Sequence, residues 1–315
     1  MDKKKIRKYL DVIRKAVSLI EEEIGEATPS ELQDFVEPLA IVKEVAREVV
    51  KKQTAAEIQR EEYLKARKKH VGDLMAIDCW PPAAPEYLVG KPVTERDQMN
   101  RAGLVIDMFL TKPIQDLSVL DFGCGEGWVA NELVNRGGKH VVGYDIVRSP
   151  SWDSLKATFT SSLPNDKFDA VFLIDVLDHS QNPQQIMSEV EGLLKPGGIA
   201  YVRCHPWTSR HATHVFKQGL NKSYIHLFLT EEEQIELGYR PMFTRIEKNP
   251  FETYKKWFGK FKIQRERRSS EPLHEFFKVP AFVSLLYTEQ QIPKERQADF
   301  LIDMETQFVD YQLTL

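Results

Sequence analysis

The first 78 residues carry apolar side chains at helical spacing. Between Ile6 and Ile24 the apolar positions recur at alternating intervals of four and three residues, which predicts an amphipathic helix of about six turns. Thr28-Pro-Ser-Glu31 has the pattern of a capping box with proline at the first helical position, so a second helix is expected there. It should run toward Lys69, with Pro38 as the point where it can bend. The apolar stripes must pack on each other, on the rest of the chain, or on the same helices of a second copy.

The pattern changes at Cys79-Trp-Pro-Pro-Ala-Ala-Pro85, which cannot continue a helix and marks a boundary. Beyond it, short apolar runs alternate with segments of helical length. The apolar runs are Leu117–Phe122, Lys139–Asp145, Phe168–Asp175 and Ile199–Cys204. Helices are expected at Trp128–Arg136 and before the turn Leu194-Lys-Pro-Gly-Gly198. This alternation predicts an α/β fold with a doubly wound, mostly parallel sheet.

The carboxyl-terminal third is less regular. Phe276 to Tyr287 is expected to form a strand of an antiparallel hairpin, and Pro293 to Phe308 a terminal helix. Lys255-Lys-Trp-Phe-Gly-Lys-Phe-Lys262 mixes positive charge with aromatic rings, which suits either single-stranded nucleic acid or an edge strand with basic residues outward. We favour the edge strand. The predicted domains are a helical N-terminal extension (1–78), a linker (79–93), a sheet domain (94–290) and a C-terminal helix (291–315).

Composition narrows the class of protein. The formal net charge of the 315 residues is −4, so no global field attracts the chain to nucleic acid or to anionic membrane. No run approaches the ~20 apolar residues that cross a bilayer. The three cysteines lie far apart, which argues against a disulfide framework or a structural zinc site. We therefore expect a soluble, cytoplasmic protein.

One strand, turn and helix in succession predict a nucleotide-type cofactor site. After the strand ending at Phe122, Gly123, Gly125 and Gly127 remove the Cβ atoms that would hold a ligand away from the backbone. Asp145 ends the next strand about 20 residues further on, the spacing at which a carboxylate meets a ribose in doubly wound sheets. An NAD domain is the competing interpretation, but its third glycine comes one residue later.

At these residues the chain resembles the class I S-adenosylmethionine-dependent methyltransferases, over roughly Thr94 to Tyr287. Asp121-x-Gly-x-Gly-x-Gly127 is similar to the family's first motif, and Asp175-Val-Leu-Asp-His179 to the Glu-Val-Leu-Glu-His run of one branch. That branch methylates small molecules and some wobble-position tRNA bases. The resemblance implies a Rossmann-like, seven-stranded sheet and S-adenosylmethionine as the cofactor.

The resemblance also implies which residues hold the cofactor. Asp121 would bind its amino acid part, Asp145 both ribose hydroxyls, and Ile146 the adenine face. Thr160 and Ser161 depart from the family, because many relatives carry an acid there. Asp121 could instead cap the next helix. The expected cofactor-binding set is Asp121, Gly123, Cys124, Gly125, Gly127, Asp145, Ile146, Thr160, Ser161 and Asp175.

Candidate catalytic residues follow from the topology. Ligands of open parallel sheets bind beyond the carboxyl ends of the strands, which places residues 175–180 and the segment after Cys204 at the mouth of the site. Methyl transfer is an in-line displacement that needs a base only when the acceptor loses a proton. His179, His205 and His211 are the candidate bases, with His214 behind them; each could instead be an ordinary loop histidine. No spacing of a recognisable metal site is present.

Three functions fit the sequence. The first is a methyltransferase acting on an oxygen, nitrogen or carbon atom of a small molecule or glycan. The second is a nucleic acid (tRNA-type) methyltransferase, which is not favoured because no Asn/Asp-Pro-Pro-Tyr follows the fourth strand. The third is a structural or assembly subunit with this fold, for example of a virus particle. A membrane partner is not expected. The apolar stripes of the N-terminal helices could pair between two copies of the chain, which would give a homo-oligomer.

Overall fold

The computed structural model describes residues 33–90, 94–110, 113–210, 212–240 and 251–315. The helix predicted at residues 6–24, the capping box at Thr28 and the candidate base His211 lie outside these ranges. The chain divides into two compact units, residues 1–78 and 79–315. In the first unit, helix α1 spans Gln33–Met75 and continues through Pro38 without interruption.

The second unit is built on one seven-stranded sheet. Its strands are β1 Ser118–Phe122, β2 His140–Tyr144, β3 Thr158–Thr160, β4 Phe168–Ile174, β5 Leu194–Cys204, β6 Lys262–Ser270 and β7 Thr306–Thr314. They lie in the order β3-β2-β1-β4-β5-β7-β6. Strands β1 to β5 are parallel, and β7 runs antiparallel to both β5 and β6. The doubly wound, mostly parallel sheet predicted from the alternating pattern is confirmed.

The structure describes six α-helices in this unit. They are α2 Glu95–Phe109, α3 Trp128–Asn135, α4 Pro183–Leu193, α5 Glu231–Glu236, α6 Pro280–Glu289 and α7 Gln297–Glu305. Side chains alternate along the central strands, so that Val119 enters the core beneath α2 and α3 while Leu120 enters the core beneath α4. Both side chains are completely buried, as a two-sided parallel sheet requires.

The carboxyl-terminal predictions were wrong in two places. Residues 280–289 form helix α6 instead of a strand, because Pro280 at the first helical position sets the helical φ of its first turn. The predicted C-terminal helix at 291–315 is helical over the 3₁₀ turn Lys294–Arg296 and over Gln297–Glu305, and Thr306–Thr314 is strand β7. Since β7 lies between β5 and β6, the sheet domain continues to the end of the chain.

The edge strand favoured for the basic and aromatic segment is confirmed only from Lys262 onward, where Arg265, Arg267 and Arg268 follow in β6, because Phe251–Phe258 form a 3₁₀ helix. Strand β6 is the last of the sheet and pairs along its length with β7. The aromatic rings before it, Tyr254, Trp257, Phe258 and Phe261, are all buried in the core beneath α4. They offer no surface on which bases could stack, so the feature that suggested nucleic acid is lost.

Candidate active site

The glycine loop bends back onto the end of strand β2. The amides of Gly123 and Cys124 both donate to the Tyr144 carbonyl, at 2.7 and 2.9 Å. The three glycines of the loop have φ of 72°, 51° and 86°, a region that side chains with a Cβ rarely adopt. A Cβ at Gly125 would meet no atom within 4 Å. The middle of the loop therefore borders open space in which a ligand can approach the backbone.

Asp145 is fixed to this loop. Its Oδ2 accepts a hydrogen bond from the Gly125 amide at 2.9 Å, and its Oδ1 accepts one from the Val147 amide at 3.0 Å. Each carboxylate oxygen has a second lone pair, so two further donors can bind. The ends of β1 and β2 thus place an acceptor pair beside the open side of the loop.

An apolar surface adjoins that carboxylate. Ile146 is 80% exposed and Val147 is 67% exposed, which is unusual for two consecutive aliphatic residues. The Thr160 carbonyl accepts a hydrogen bond from the Asp145 amide at 3.3 Å, so Thr160 and the exposed Ser161 lie at the same end of the site. A polar acceptor next to an aliphatic surface suits a ligand with a ribose and a flat base.

Asp121 has the structural role that was the alternative in the sequence. It is 2% exposed, and its Oδ2 accepts a hydrogen bond from the Ala130 amide in the first turn of α3, at 3.0 Å. Burial raises the pKa of Asp121 to about 7, and the nearby negative charge of Asp145 acts in the same direction. Its predicted contact with a cofactor stays a prediction.

Two aromatic residues that sequence reasoning missed hold the loop from the side. The Trp152 indole Nε1 donates to the Gly125 carbonyl at 2.8 Å and stacks on Phe159, with ring centroids 5.1 Å apart. A Cβ at Gly127 would lie 2.5 Å from the Phe159 ring, so that glycine is required for packing as well as for its φ. No motif marks these rings. The only sequence signal was the short connection between β2 and β3, which leaves this side of the loop to be covered by single side chains.

The end of β4 carries a strained acid. Asp175 has φ 57°, and its amide donates to the Arg203 carbonyl at 3.1 Å. Its carboxylate forms an ion pair with Arg101 of helix α2. Positive φ at a residue other than glycine is uncommon and concentrates at functional sites. Arg101 was not predicted, because nothing in the sequence of α2 distinguishes it from the other charged residues of an exposed helix face.

The histidines after β4 and β5 differ in access. The His205 side chain is 1% exposed, its ring centroid lies 5.3 Å from that of His214, and its amide donates to Asp178 Oδ2 at 3.2 Å. Burial and the nearby Asp175 raise the pKa of Asp178 well above its usual range. His179 is exposed, yet the atoms packed around its ring lower its pKa. The structure thus buries His205 and Asp178 in the interior of the domain, with His214 half-buried beside them. His179 lies at the surface.

The described part of the chain contains neither a candidate metal site nor a candidate membrane-spanning helix. No group of three or more His, Cys, Asp or Glu side chains there could hold a metal ion. No helix there is long and apolar enough to cross a membrane.

The chain is similar in sequence to known methyltransferases. Residues 95–237 match the sequence model of a family described as "Methyltransferase domain". The chain is 28% identical over 114 residues to a mitochondrial ubiquinone biosynthesis O-methyltransferase of Dictyostelium discoideum, covering 29% of this chain and 36% of that protein. It is 34% identical over 99 residues to a sterol 24-C-methyltransferase of Gibberella zeae, covering 26% of each chain. The chain thus spans roughly a quarter to a third of the length of these relatives.

Among solved structures, the chain is similar to magnesium protoporphyrin IX methyltransferase from Synechocystis with bound S-adenosylhomocysteine (SAH). The identity is 16%, the TM-score is 0.42, and the match covers 71% of this chain and 88% of that one.

Proposed function

We propose that the protein transfers a methyl group from S-adenosylmethionine to a small molecule or glycan. The match of residues 95–237 to the family described as "Methyltransferase domain" supports this proposal. The accepting atom is an oxygen, nitrogen or carbon. The hydrogen bond between the Gly125 amide and Asp145 is the observation that carries this proposal, since it joins the two halves of a nucleoside site at adjacent strand ends. The ubiquinone and sterol methyltransferases named above support a small-molecule acceptor.

The residues of the site fit the cofactor. When bound, S-adenosylmethionine supplies an electrophilic methyl group on a sulfonium. The backbone at Gly123 to Gly127 would lie along it, the free lone pairs of Asp145 would accept the ribose hydroxyls, and Ile146 would lie against the adenine. Thr160 and Ser161 would border the adenine edge, and Asp175 the methionine end. Asp121, as the cap of α3, would hold the loop in place.

We assign the acceptor-facing base to His179. Its lowered pKa keeps the imidazole neutral near pH 7, the form that can accept a proton from an acidic hydroxyl or amine. His205 is enclosed and lies against His214, so its contribution would be to hold the wall of the site in place. A nucleic acid acceptor has lost its main support, because the aromatic rings near β6 are buried.

Calorimetric titration of the wild-type protein with S-adenosylmethionine and with SAH tests the proposal. A working site binds both with micromolar affinity, since the product differs from the cofactor only by the methyl group. Absence of heat with either compound would reject the enzyme and favour a structural subunit with a methyltransferase fold.

A further inference from the structure

One face of the sheet becomes less covered toward the edge strand β6. Helix α2 packs on this face at β5, where the ring centroids of Phe109 and Tyr201 lie 5.6 Å apart. Tyr201 is buried, Gln312 opposite it in β7 is half-buried, and Arg265 opposite Gln312 in β6 is exposed. The next residue of β7, Leu313, points to the other face and is completely buried. Beside α2 the sheet therefore presents side chains of β7 and β6 to solvent.

A buried ion pair lies at the border of this open face. The Arg203 guanidinium donates to both carboxylate oxygens of Asp310, from Nε at 2.7 Å and from Nη2 at 3.0 Å. The two side chains are only 6% and 5% exposed. The centroid of the Phe308 ring lies 4.9 Å from Cζ of the arginine. The negative charge of Asp310 is therefore already balanced by Arg203.

Two further arginines stand beside this pair on β6. Arg267 lies opposite Asp310, and its Nη2 is 3.4 Å from Oδ2, an oxygen to which Arg203 already donates. Arg265 stands two residues earlier on the same face, and no side chain among the described residues forms a hydrogen bond, ion pair or ring contact with its guanidinium. Among the described residues, three arginines thus share one carboxylate, and two positive charges stay unmatched.

These arginines line a shallow depression between α2 and β6. Met108 and Phe109 line its apolar side, and Gln312 joins Arg265 and Arg267 on its polar side. In the part of the chain that the structure describes, the side-chain amide of Gln312 has no hydrogen-bond partner. The depression therefore offers three separate hydrogen-bond donors next to an apolar surface.

A phosphate group matches this arrangement in charge and in geometry. A phosphate monoester carries a charge of about −1.5 to −2 at pH 7, close to the two unmatched positive charges, whereas a carboxylate carries only one. Guanidinium groups bind phosphate oxygens through planar, paired donors. Arg265 and Arg267 are about 7 Å apart along the strand, so their side chains can converge on different oxygens of one phosphate.

From this geometry we propose that the depression between α2 and β6 binds a phosphate monoester through Arg265, Arg267 and Gln312. The organic part of the ester would lie against Met108 and Phe109. The site is four strand positions, or about 19 Å, from β1, so it is separate from the methyl-transfer site and does not depend on the function proposed above. The phosphate belongs either to a small molecule or to a phosphorylated side chain, which present the same group.

The experiment uses the full chain at constant ionic strength, with and without SAH. Phenyl phosphate is the small-molecule probe, and benzenesulfonate, a singly charged anion of similar shape, is its control. A short peptide with one phosphoserine is the second probe, and the same peptide without the phosphate is its control. Calorimetry and ligand-observed NMR measure the binding of each compound to the wild type, to Arg265→Gln and to Arg268→Gln.

Arg268→Gln is the matched control because it removes the same charge from the same strand. Arg268 lies on the opposite face of β6 and pairs with Glu266 at 3.0 Å. Only a local effect can therefore separate the two variants. Thermal unfolding verifies that both are folded, which is expected of Arg265→Gln because the side chain is exposed and contacts no described partner.

We expect the wild type and Arg268→Gln to bind phenyl phosphate about tenfold more tightly than benzenesulfonate, the effect of one charge-assisted hydrogen bond. For the same reason, Arg265→Gln should bind phenyl phosphate about tenfold more weakly than the wild type. SAH should leave these affinities unchanged, because the two sites are separate. Tighter binding of the phosphopeptide than of phenyl phosphate assigns the phosphate to a partner protein, and the reverse order assigns it to a small molecule.

Four outcomes would overturn the proposal. The first two are equal binding of phenyl phosphate and benzenesulfonate to the wild type, and no binding of either phosphate probe at millimolar concentration. The third is an equal loss of affinity in Arg265→Gln and Arg268→Gln, which would show a general effect of charge. The fourth is displacement of phenyl phosphate by SAH, which would place the probe in the cofactor site. The basic residues of β6 would then serve only to keep the edge strand from pairing with other chains.

Discussion

At the scale of single residues, Asp145 connects the glycine loop to the expected ribose position. Replacing it with alanine removes both carboxylate oxygens and releases the amides of Gly125 and Val147. We expect Asp145→Ala to weaken SAH binding at least about a hundredfold, because two charge-assisted hydrogen bonds are each worth about 1.5–3 kcal/mol. Calorimetry measures this loss.

The matched control is Asp153→Ala. Asp153 is an exposed acid of the same connection, paired with Arg148, and it does not contact the loop. Its loss should leave SAH affinity within about twofold, the effect of a surface ion pair. Equal effects of the two substitutions would contradict the role of Asp145.

The buried carboxyl of Asp121 makes a prediction about pH. Its folded pKa of about 7 lies above the ordinary value of 3.8, so the folded state holds the proton more tightly than the unfolded state. Stability from this group is therefore present below its unfolded pKa and lost as pH rises toward 7. Between pH 5 and pH 8 the wild type should lose roughly 3 kcal/mol of unfolding free energy relative to Asp121→Asn, because the pH crosses about two units below the folded pKa at 1.36 kcal/mol per unit.

Urea unfolding at the two pH values measures this difference. Asparagine keeps an oxygen for the Ala130 amide and has no charge to desolvate, which makes it the suitable reference. Parallel pH profiles of the two proteins would refute the raised pKa.

At the scale of elements, the carboxyl-terminal strand decides where the domain ends. Strand β7 pairs with β5 on one side and with β6 on the other. Removing residues 306–315 should therefore separate β6 from the sheet and leave β5 as an edge, giving a chain that fails to fold. Removing Leu315 alone, which lies beyond β7 and is 45% exposed, should be tolerated.

Circular dichroism and thermal unfolding of the two truncated proteins test this expectation. A cooperative unfolding transition in the protein that ends at Glu305 would show that β7 is dispensable. The segment would then lie outside the folded sheet domain, as the sequence analysis predicted.

The elements show which parts of the fold can be predicted from the sequence. Strands β1, β2 and β4 are mostly buried and mostly apolar runs that end at a glycine or an acid, and this pattern was sufficient to predict them. Strand β7 was missed because Asp310 interrupts it. That acid is buried in ion pairs with Arg203, 107 residues away in sequence, at 2.7 Å and with Arg267 of β6 at 3.4 Å. Local periodicity cannot report a long-range ion pair.

The residues of the site also fall into those that the sequence predicts and those that it does not. The glycines and Asp145 were predicted because the turn and the strand ends fix their positions locally. Arg101 and Trp152 were not, since their roles depend on which elements the tertiary fold brings to the site. The interior position of His205 likewise depends on Phe308 of β7, whose ring centroid lies 4.8 Å from that of the histidine.

At the scale of the whole molecule, the first unit carries exposed apolar side chains. Ile58, Tyr63 and Leu64 of α1 are 53%, 65% and 53% exposed. We propose that this helix associates with a second copy of the chain. Removal of residues 1–78 should then lower the molecular mass measured by size exclusion with light scattering from that of an oligomer to that of a monomer.

SAH binding serves as an internal control for the truncated protein. All proposed cofactor contacts lie in the unit of residues 79–315, so SAH affinity should survive the truncation. An unchanged oligomeric state would refute self-association through the first unit, whatever the affinity.

The central claim is that the loop of residues 123–127 and Asp145 enclose an adenosyl group. A crystal structure of the protein grown with SAH tests it most directly. The account predicts electron density for the nucleoside across the ends of β1 and β2, with both ribose oxygens within hydrogen-bond distance of Asp145 and the adenine against Ile146. Two results would contradict the claim. One is electron density for SAH at another place, and the other is the absence of SAH from the loop at a saturating concentration.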